Sequence, residues 1–330
     1  MEIFENQTSL FGEKPKFKID KPIRLIELFA GIGSQAMALR DIGADFEHYR
    51  VVEFDKYAIK SYNAIHDTDF PIIDITEIKG EDLGIVDTDK YCYLMTYSFP
   101  CQDLSVAGKG AGMSKGDGTR SGLLWEVERL LNETEHLPQV LLMENVPQVH
   151  SKKNIADFEK WIEFLNSKGY SNHWKDLNAK DYGVAQNRNR CFMVSVLGDY
   201  TYEFPQPIPL TKVMKDYLED AVDKKYYINS EKAQMLIDKL AEKGVLKSDR
   251  HTVDFSLKNA GENEVANCIC AKYDSGVTTR SKEGSCVCET VLLKSQGTEF
   301  EKATNISNTL MARDYKGFGN QAMNGVIEWK

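Results

Sequence analysis

Over residues 1–195, short apolar runs alternate with stretches whose apolar residues recur every three or four positions. The apolar runs predict strands, and the amphipathic stretches predict helices. Strands are predicted at Ile23–Leu28, Tyr49–Phe54, Tyr91–Tyr97, Gln139–Met143 and Cys191–Leu197, and helices at Ser34–Ile42, Lys56–His66, Ser121–Glu133 and Asn154–Lys168. This alternation predicts an α/β fold, with a mostly parallel sheet covered by helices on both faces. Ligands of such folds bind at the carboxyl ends of the strands.

The pattern changes in the last part of the chain. A proline-rich connector, Phe204–Pro209, is followed by one charged helical stretch, Ser230–Lys243, and then by short apolar runs and polar turns. Proline restricts the backbone and is typical of rigid connectors. We therefore predict a ligand-binding domain at residues 1–197 and a smaller, strand-rich region at residues 198–330.

Composition narrows the class of protein. A 330-residue chain that is 42% apolar has enough apolar material for a large core, so we expect a globular protein. No apolar run is long enough to span a membrane, and residues 1–20 lack the apolar block of a signal peptide, so we expect a cytoplasmic location. Seven cysteines without an export signal predict reduced thiols. The net charge of −9 by itself disfavours nucleic acid as a partner, although a local basic face remains compatible with it.

One cysteine stands at a sharp turn after an apolar run. The run Tyr91–Tyr97 leads into Ser98-Phe99-Pro100-Cys101-Gln102, and the next segment, Asp103–Ser121, is polar and rich in glycine. Such a segment is typical of a mobile loop over a cleft. An isolated free cysteine usually packs in a core. Here the turn and the loop favour a reactive thiol at Cys101.

A glycine turn between a strand and a helix predicts a nucleotide site. The turn is Phe29-Ala30-Gly31-Ile32-Gly33. Glycine lets a ligand approach the backbone, and the start of a helix offers free N–H groups. Glu53 ends the next strand, where an acid accepts both hydroxyls of a ribose. Asp74 ends the apolar run of the third unit, where a carboxylate can accept a hydrogen bond from an adenine amino group.

The identity of the nucleotide depends on a few neighbours. A nicotinamide dinucleotide site predicts a third glycine three residues after Gly33, and this chain has Ala36 there. Phe29 before the glycines and the turn at Cys101 favour S-adenosylmethionine instead.

Two further motifs carry charge at the ends of predicted strands. Leu141-Leu142-Met143-Glu144-Asn145-Val146 ends a buried strand with a carboxylate, and Gln186-Asn187-Arg188-Asn189-Arg190 places two arginines on the same face of an extended segment. Each motif alone is usually a surface feature.

Together and in this order, the motifs resemble the DNA cytosine-5 methyltransferase family, of the bacterial and phage restriction–modification type. They are Phe-Ala-Gly-Ile-Gly, Glu53, Asp74, Pro-Cys-Gln, Glu-Asn-Val and Gln-x-Arg-x-Arg, and the resemblance covers about residues 24–197. It implies a Rossmann-like S-adenosylmethionine-binding catalytic domain followed by a DNA target-recognition region. Double-stranded DNA is the implied substrate.

The resemblance also implies a chemical role for each matching residue. Cys101 would add as a thiolate to carbon 6 of a flipped-out cytosine, which activates carbon 5 toward the methyl group. Glu144 would hold the amino group and ring nitrogen 3, and Arg190 would contact the carbonyl oxygen of the base. Arg188 would orient Glu144 or contact the phosphate backbone.

The remaining implied contacts belong to the loop and the cofactor. Gln102 and Ser105 match positions that close over DNA in the family. Phe54 would stack on adenine. The implied cofactor contacts are Phe29, Gly31, Gly33, Glu53, Phe54, Asp74, Ile75, Pro100 and Leu124.

The match to the family's closing segment is incomplete. The chain contains no Leu-Thr-Pro-x-Glu sequence, and Phe318-Gly319-Asn320 is interpreted as part of the DNA-reading region. We therefore expect the family's last cofactor-binding element to be missing, so that a complementing chain is an open alternative. No obligatory protein partner is otherwise indicated.

Four cysteines in the last part of the chain offer an alternative function. Cys268, Cys270, Cys286 and Cys288 could supply the four thiolates of a structural zinc site. A faint internal repeat, however, puts Thr309, Met311, Gly325 and Ile327 at the matching positions of its second copy. We therefore interpret these cysteines as packed strand residues and predict no metal.

Two other functions remain open from sequence. A related branch of the family methylates transfer RNA, and a chain without regulatory domains is compatible with that substrate. A non-catalytic DNA-binding protein is the second alternative. The motifs around Cys101, Glu144 and Arg190 argue against it.

Overall fold

The structure is a computed structural model that describes residues 14–104, 112–116, 118–218 and several shorter stretches. The latter are 238, 242, 244, 251–254, 261–262, 264–267, 285–295 and 298–308. The chain forms two compact units, Met1–Leu177 with Asn189–Pro205, and Asn178–Arg188 with Gln206–Lys330. Residues 178–188 therefore belong to the second unit, and the chain then returns to the first unit with the strand Asn189–Leu197. The predicted helix Ser230–Lys243 lies largely outside the described residues.

A six-stranded sheet forms the first unit, in the order β2-β1-β3-β4-β7-β5. The strands are β1 (Ile23–Leu28), β2 (Phe46–Val52), β3 (Cys92–Tyr97), β4 (Val140–Asn145), β5 (Tyr170–Asn178) and β7 (Asn189–Leu197). The first four strands are parallel, and β7 is antiparallel to β4. The predicted α/β fold with a mostly parallel sheet is confirmed.

Helices connect the parallel strands. They are α1 (Ser34–Asp41), α2 (Lys56–His66), α3 (Leu124–Glu133) and α4 (Ile155–Ser167). Every residue of β3 is buried, which explains why this central strand is apolar without alternation. Because parallel strands end at the same edge, the turns after β1, β2, β3 and β4 meet there.

The described part of the second unit contains strands of two to eleven residues. β6 (Gln186–Asn187) pairs with β10 (Ala266–Asn267). A second sheet has the order β12-β11-β8-β9 and consists of β8 (His251–Asp254), β9 (Gly261–Glu262), β11 (Ser285–Ser295) and β12 (Thr298–Asn308). Among the helices within the described ranges, none is long and apolar enough to cross a membrane.

Within the six-stranded sheet, β5 is the strand that the sequence pattern did not predict. Its sequence, Tyr-Ser-Asn-His-Trp-Lys-Asp-Leu-Asn, has few apolar residues because it forms the edge of the sheet and is half-exposed. An edge strand buries little side-chain surface, so the apolar signal that marks β3 is weak here.

Candidate active site

The turn after β1 contains two glycines in the left-handed region of backbone conformation, which glycine adopts without steric cost. Gly31 and Gly33 have φ angles of 58° and 81°. A Cβ atom on Gly33 would lie 2.3 Å from His66 Nε2 and 2.6 Å from Tyr62, whereas one on Gly31 would meet nothing within 4 Å. The second glycine is thus required by packing as well as by conformation.

A buried carboxyl group supports this turn from within β1. Glu27 is fully buried and accepts a hydrogen bond from the Tyr62 hydroxyl, which also contacts His48 Nδ1 at 2.6 Å. Burial raises the pKa of Glu27 to about 7, while the Tyr62 hydrogen bond acts in the opposite direction. Burial lowers the pKa of His48, and the nearby His66 adds to that shift. The neutral forms of Glu27 and His48 are therefore favoured beneath the turn.

Glu53 joins the ends of β1 and β2 through its carboxylate. One oxygen accepts the Gly31 N–H at 2.9 Å, and the other accepts the Asp55 N–H at 2.8 Å. Glu53 is only 9% exposed. Each carboxylate oxygen has more than one acceptor direction, so these bonds orient the group without using its full capacity for a ribose.

A cavity of about 310 Å³ opens beside Glu53. Its volume lies in the range of small-molecule pockets. Six of the predicted cofactor residues line it: Phe29, Glu53, Phe54, Asp74, Ile75 and Pro100. Phe54 is 65% exposed, which leaves its ring available for stacking. The mixture of carboxylates and apolar walls fits the adenosine part of S-adenosylmethionine.

The remaining three predicted cofactor residues do not line the cavity. Gly31 and Gly33 lie in the turn described above, where the Gly31 N–H donates to Glu53. Leu124 is fully buried in the core, and the leucine on the cavity wall is its neighbour Leu123. The helical repeat explains the difference, because adjacent helix residues point about 100° apart.

Asp74 lies in a loop that α3 holds in place. One Asp74 oxygen accepts hydrogen bonds from Thr76 N and Thr76 Oγ1, at 2.9 and 2.8 Å. Arg129 of α3 donates to the carbonyl oxygens of Ile75 and Ile78, at 3.0 and 2.9 Å. Sequence analysis did not identify Arg129, because its i,i+3 and i,i+4 partners on α3 resemble an ordinary solvated helix face.

Two buried polar side chains pin the turn that carries Cys101. Ser121 Oγ donates to the Pro100 carbonyl at 2.7 Å, and Asn145 Nδ2 donates to the Phe99 carbonyl at 3.0 Å. Ser121 and Asn145 are 0% and 2% exposed. Cys101 itself carries a half-buried thiol. The candidate nucleophile is thus partly accessible, and the hydrogen bonds from Ser121 and Asn145 restrain the backbone beside it.

Hydrogen bonds also close the base of the glycine-rich loop. Asp103 Oδ2 accepts from the N–H groups of Arg120 and Ser121, at 2.8 and 3.3 Å. The Arg120 guanidinium donates to Gln102 Oε1. Ser105 lies outside the described residues.

Glu144 and Arg190 form an ion pair at the same sheet edge. The antiparallel pairing of β4 and β7 puts Glu144 opposite Phe192 and near Arg190. Arg190 Nε lies 2.9 Å from Glu144 Oε1, and the two side chains are 16% and 21% exposed. This arrangement gives a partly buried carboxyl group oriented by a guanidinium.

Arg188 belongs to the second compact unit, whereas Arg190 belongs to the first. The backbone carbonyl of Arg188 accepts from Ala179 N at 2.9 Å. The role predicted for the Arg188 side chain stays a prediction. Cys268, Cys270 and Asn320 lie outside the described residues, as do the side chains of Cys286 and Cys288.

The sequence of the chain is similar to those of known DNA methyltransferases. The model of the family "C-5 cytosine-specific DNA methylase" matches residues 23–318. The orphan methyltransferase M.SssI of Spiroplasma monobiae is 36% identical over 264 residues, covering 64% of this chain and 68% of that protein. The type II methyltransferase M2.ScrFI of Lactococcus lactis subsp. cremoris is 31% identical, covering 63% and 71%.

Solved structures share the fold. The S. pombe Dnmt2 methyltransferase has a TM-score of 0.51 at 22% identity, covering 67% of this chain and 66% of that one. The Entamoeba histolytica methyltransferase EhMeth has a TM-score of 0.54 at 19% identity, covering 66% of each chain. With the family match over most of the chain, the protein belongs to the C-5 cytosine-specific DNA methylases, enzymes that methylate DNA with S-adenosylmethionine as the methyl donor.

Proposed function

We propose that this chain methylates carbon 5 of a cytosine flipped out of double-stranded DNA, through a covalent bond between Cys101 Sγ and carbon 6 of the base. One observation carries the proposal: Pro100 lines the cavity beside Glu53, and Cys101 is the next residue. The methyl donor and the nucleophile therefore share one edge of the sheet, as transfer between them requires.

Cys101 acts first. Carbon 5 of cytosine is a poor nucleophile, and addition of the thiolate to carbon 6 turns the ring into an enamine with electron density at carbon 5. This chemistry needs the base outside the duplex stack, where the thiol can reach it. The pinned turn supports it, because Ser121 and Asn145 hold the backbone on either side of Pro100 and leave the half-buried thiol accessible.

Glu144 and Arg190 act on the opposite edge of the base. Glu144 holds the amino group and delivers a proton to ring nitrogen 3 as the thiolate adds, and Arg190 binds the carbonyl oxygen. The 2.9 Å contact between them supports a further task for Arg190, which is to orient the carboxyl group. Arg188 contributes to orientation or to phosphate binding, and Gln102 and Ser105 close over the DNA.

The cavity residues hold the donor. Glu53 accepts from the ribose hydroxyls, Asp74 from the adenine amino group, and Phe54 stacks on the adenine ring. S-adenosylmethionine supplies the sulfonium methyl group that carbon 5 accepts. After transfer a base removes the proton from carbon 5, and the Cys101 Sγ–carbon 6 bond breaks to release the thiolate.

Residues 198–330 are proposed to read the DNA target, after a catalytic domain at residues 1–197. Transfer RNA is the alternative substrate. The family description and the bacterial and phage relatives favour DNA, and they support a cytoplasmic site of action. Equal turnover on a folded RNA and on a DNA duplex would contradict this preference.

The test is methyl transfer from labelled S-adenosylmethionine to duplex DNA by the Cys101→Ala variant. We expect turnover to fall at least about 10⁴-fold, because the nucleophile itself is lost. The wild-type enzyme should also be trapped as an adduct on DNA containing 5-fluorocytosine, and the variant should not. Cys92→Ala, which removes a buried thiol at the start of β3, is the matched control and should keep both activities. A Cys101→Ala variant with normal turnover would refute the mechanism.

A further inference from the structure

Three side chains of the types that can bind metal ions lie close together in the first unit, and none of them belongs to the site described above. His150 ends a short 3₁₀ helix after β4, Asp176 lies on β5, and Cys191 lies on β7. One nitrogen, one oxygen and one sulfur from these residues lie within 4.8 Å of one another. The three residues come from separate segments, so their spacing in the sequence matches no metal-binding motif.

The donor atoms suit a borderline or soft divalent cation. Imidazole, carboxylate and thiolate are all zinc ligands, whereas calcium and magnesium prefer oxygen alone. In tetrahedral zinc, neighbouring ligand atoms are about 3.3–3.6 Å apart, from metal–ligand distances of about 2.0–2.3 Å. His150 Nε2 and Asp176 Oδ1 are 2.9 Å apart, so a small outward movement admits an ion between them.

The three side chains of the cluster differ in their exposure to solvent. Cys191 is completely buried, while the side chains of His150 and Asp176 are 23% and 32% exposed. An ion can therefore enter past the imidazole and the carboxylate and reach the thiol last. Burial, followed by the neighbouring Asp176 carboxylate, raises the pKa of Cys191 to about 12. A bound dication would displace that proton, and the thiolate and carboxylate together would neutralise its charge.

Aromatic rings keep the imidazole in position. The Trp174 ring lies 4.7 Å from the His150 ring between centroids, and the Phe158 ring lies 6.2 Å from it. Packing of this kind limits the rotation of a ligand and lowers the entropy lost when an ion binds.

We propose that His150, Asp176 and Cys191 bind one divalent transition-metal ion of the zinc type, with the fourth coordination position taken by water. The site connects the segment after β4 to β5 and β7. Cys191 follows Arg190 in the chain and pairs with Asn145, which follows Glu144. The ion therefore restrains the strand ends that carry the Glu144–Arg190 pair.

The test uses the full chain, stripped of metal and titrated with Zn²⁺ against a chromophoric chelator and, separately, with Co²⁺. We expect one tight equivalent of Zn²⁺ and a sulfur-to-cobalt charge-transfer absorption band. Cys191→Ser should abolish the band and weaken Zn²⁺ binding roughly 100-fold or more, since even outer-shell changes cost about 10–100-fold. His150→Gln, on a half-exposed helix end, should weaken binding at least about 10-fold and provides a second variant if Cys191→Ser does not fold.

Matched controls separate this site from other thiols and histidines. His136→Gln changes an exposed histidine and should leave Zn²⁺ affinity unchanged. Cys101→Ser should keep the cobalt band, and so should the combined Cys268, Cys270, Cys286 and Cys288 to serine variant. Absence of a tight equivalent would overturn the proposal. So would binding that survives both Cys191→Ser and His150→Gln, or binding that only the four-cysteine variant loses.

Discussion

Two neighbouring regions at one edge of the same sheet hold their functional groups in different ways. In the cofactor region, at the ends of β1 and β2, the Glu53 carboxylate is bonded to the main-chain N–H groups of Gly31 and Asp55. In the proposed base region, at the end of β4 and the start of β7, the Glu144 carboxylate contacts another side chain, that of Arg190. In the first arrangement the Glu53 carboxylate also stabilises the local backbone. In the second, the contact of the Glu144 carboxylate is with a side chain.

This difference predicts how each region responds to substitution. Removing the Glu53 carboxylate leaves the N–H groups of Gly31 and Asp55 without that acceptor, which costs stability as well as binding. Replacing the Glu144 carboxylate by an amide keeps a hydrogen-bond acceptor beside the partly buried Arg190 and mainly changes the chemistry of the group. Substitution of Glu53 should therefore alter folding and affinity together, and substitution of Glu144 should alter turnover alone.

The largest effect is expected in the base region, for Glu144→Gln. The amide cannot deliver the proton to ring nitrogen 3, so kcat should fall about 10²–10⁴-fold. Affinity for S-adenosylmethionine and the free energy of unfolding should stay close to those of the wild type. Single-turnover methylation, calorimetric titration and urea denaturation measure the three quantities.

The matched control is Glu81→Gln, which makes the same change on a side chain that is 78% exposed and far along the chain from the reacting groups. It should leave all three quantities unchanged. If Glu144→Gln lowers stability as much as turnover, the two regions do not differ as described.

In the cofactor region, Glu53→Ala should weaken S-adenosylmethionine binding roughly 100-fold and also lower the free energy of unfolding by about 1–3 kcal/mol. The reason is that the same carboxylate serves both the ligand and two backbone N–H groups. Asp74→Asn provides the contrast, because Asp74 accepts only local hydrogen bonds from Thr76. Its affinity should fall about 10-fold without a measurable change in stability, as a charge-assisted bond becomes a neutral one. Equal destabilisation by both variants would contradict the distinction.

A pair of glycine variants isolates the backbone contribution. Gly33→Ala should lower the free energy of unfolding by about 2–4 kcal/mol, because its Cβ would overlap His66 and Tyr62 in addition to the cost of positive φ. Gly31→Ala adds a methyl group to open space and should cost only about 1 kcal/mol. Urea denaturation compares the two. Similar costs would show that conformation, and not packing against α2, makes glycine necessary.

A pH-dependent effect is expected for Glu27, beneath the turn of the cofactor region. Its folded pKa of about 7 lies above the ordinary value of 4.5, so the folded protein retains a proton that the unfolded chain has released. The associated stability is complete below about pH 4.5 and is lost as pH rises to about 7. Glu27→Gln lacks this titration. Its stability relative to the wild type should therefore rise by about 2 kcal/mol between pH 5 and pH 8. A constant difference across this range, measured by urea denaturation, would mean that Glu27 is ionised in the fold.

Several contacts of the site had no signal in the sequence. Ser121 and Asn145 pin the turn at Cys101 through side chains 21 and 46 residues away from the carbonyls they bind. Arg129 holds the loop after Asp74 from 54 and 51 residues away. β5, and with it Asp176, was missed because an edge strand has little apolar character. Contacts of this length depend on how helices and strands pack, which no local pattern encodes.

The sequence by itself determined the alternation of strands and helices, the positions of Glu53 and Glu144 at strand ends and of Cys101 in the turn after a strand, and the family to which the chain belongs. These properties are local, since they follow from apolar periodicity and from short motifs at turns. Only the tertiary structure decided that β7 returns antiparallel to β4, which brings Arg190 to Glu144 and Cys191 toward His150 and Asp176. Strand direction and register arise from packing of the whole sheet, and they decide which side chains meet.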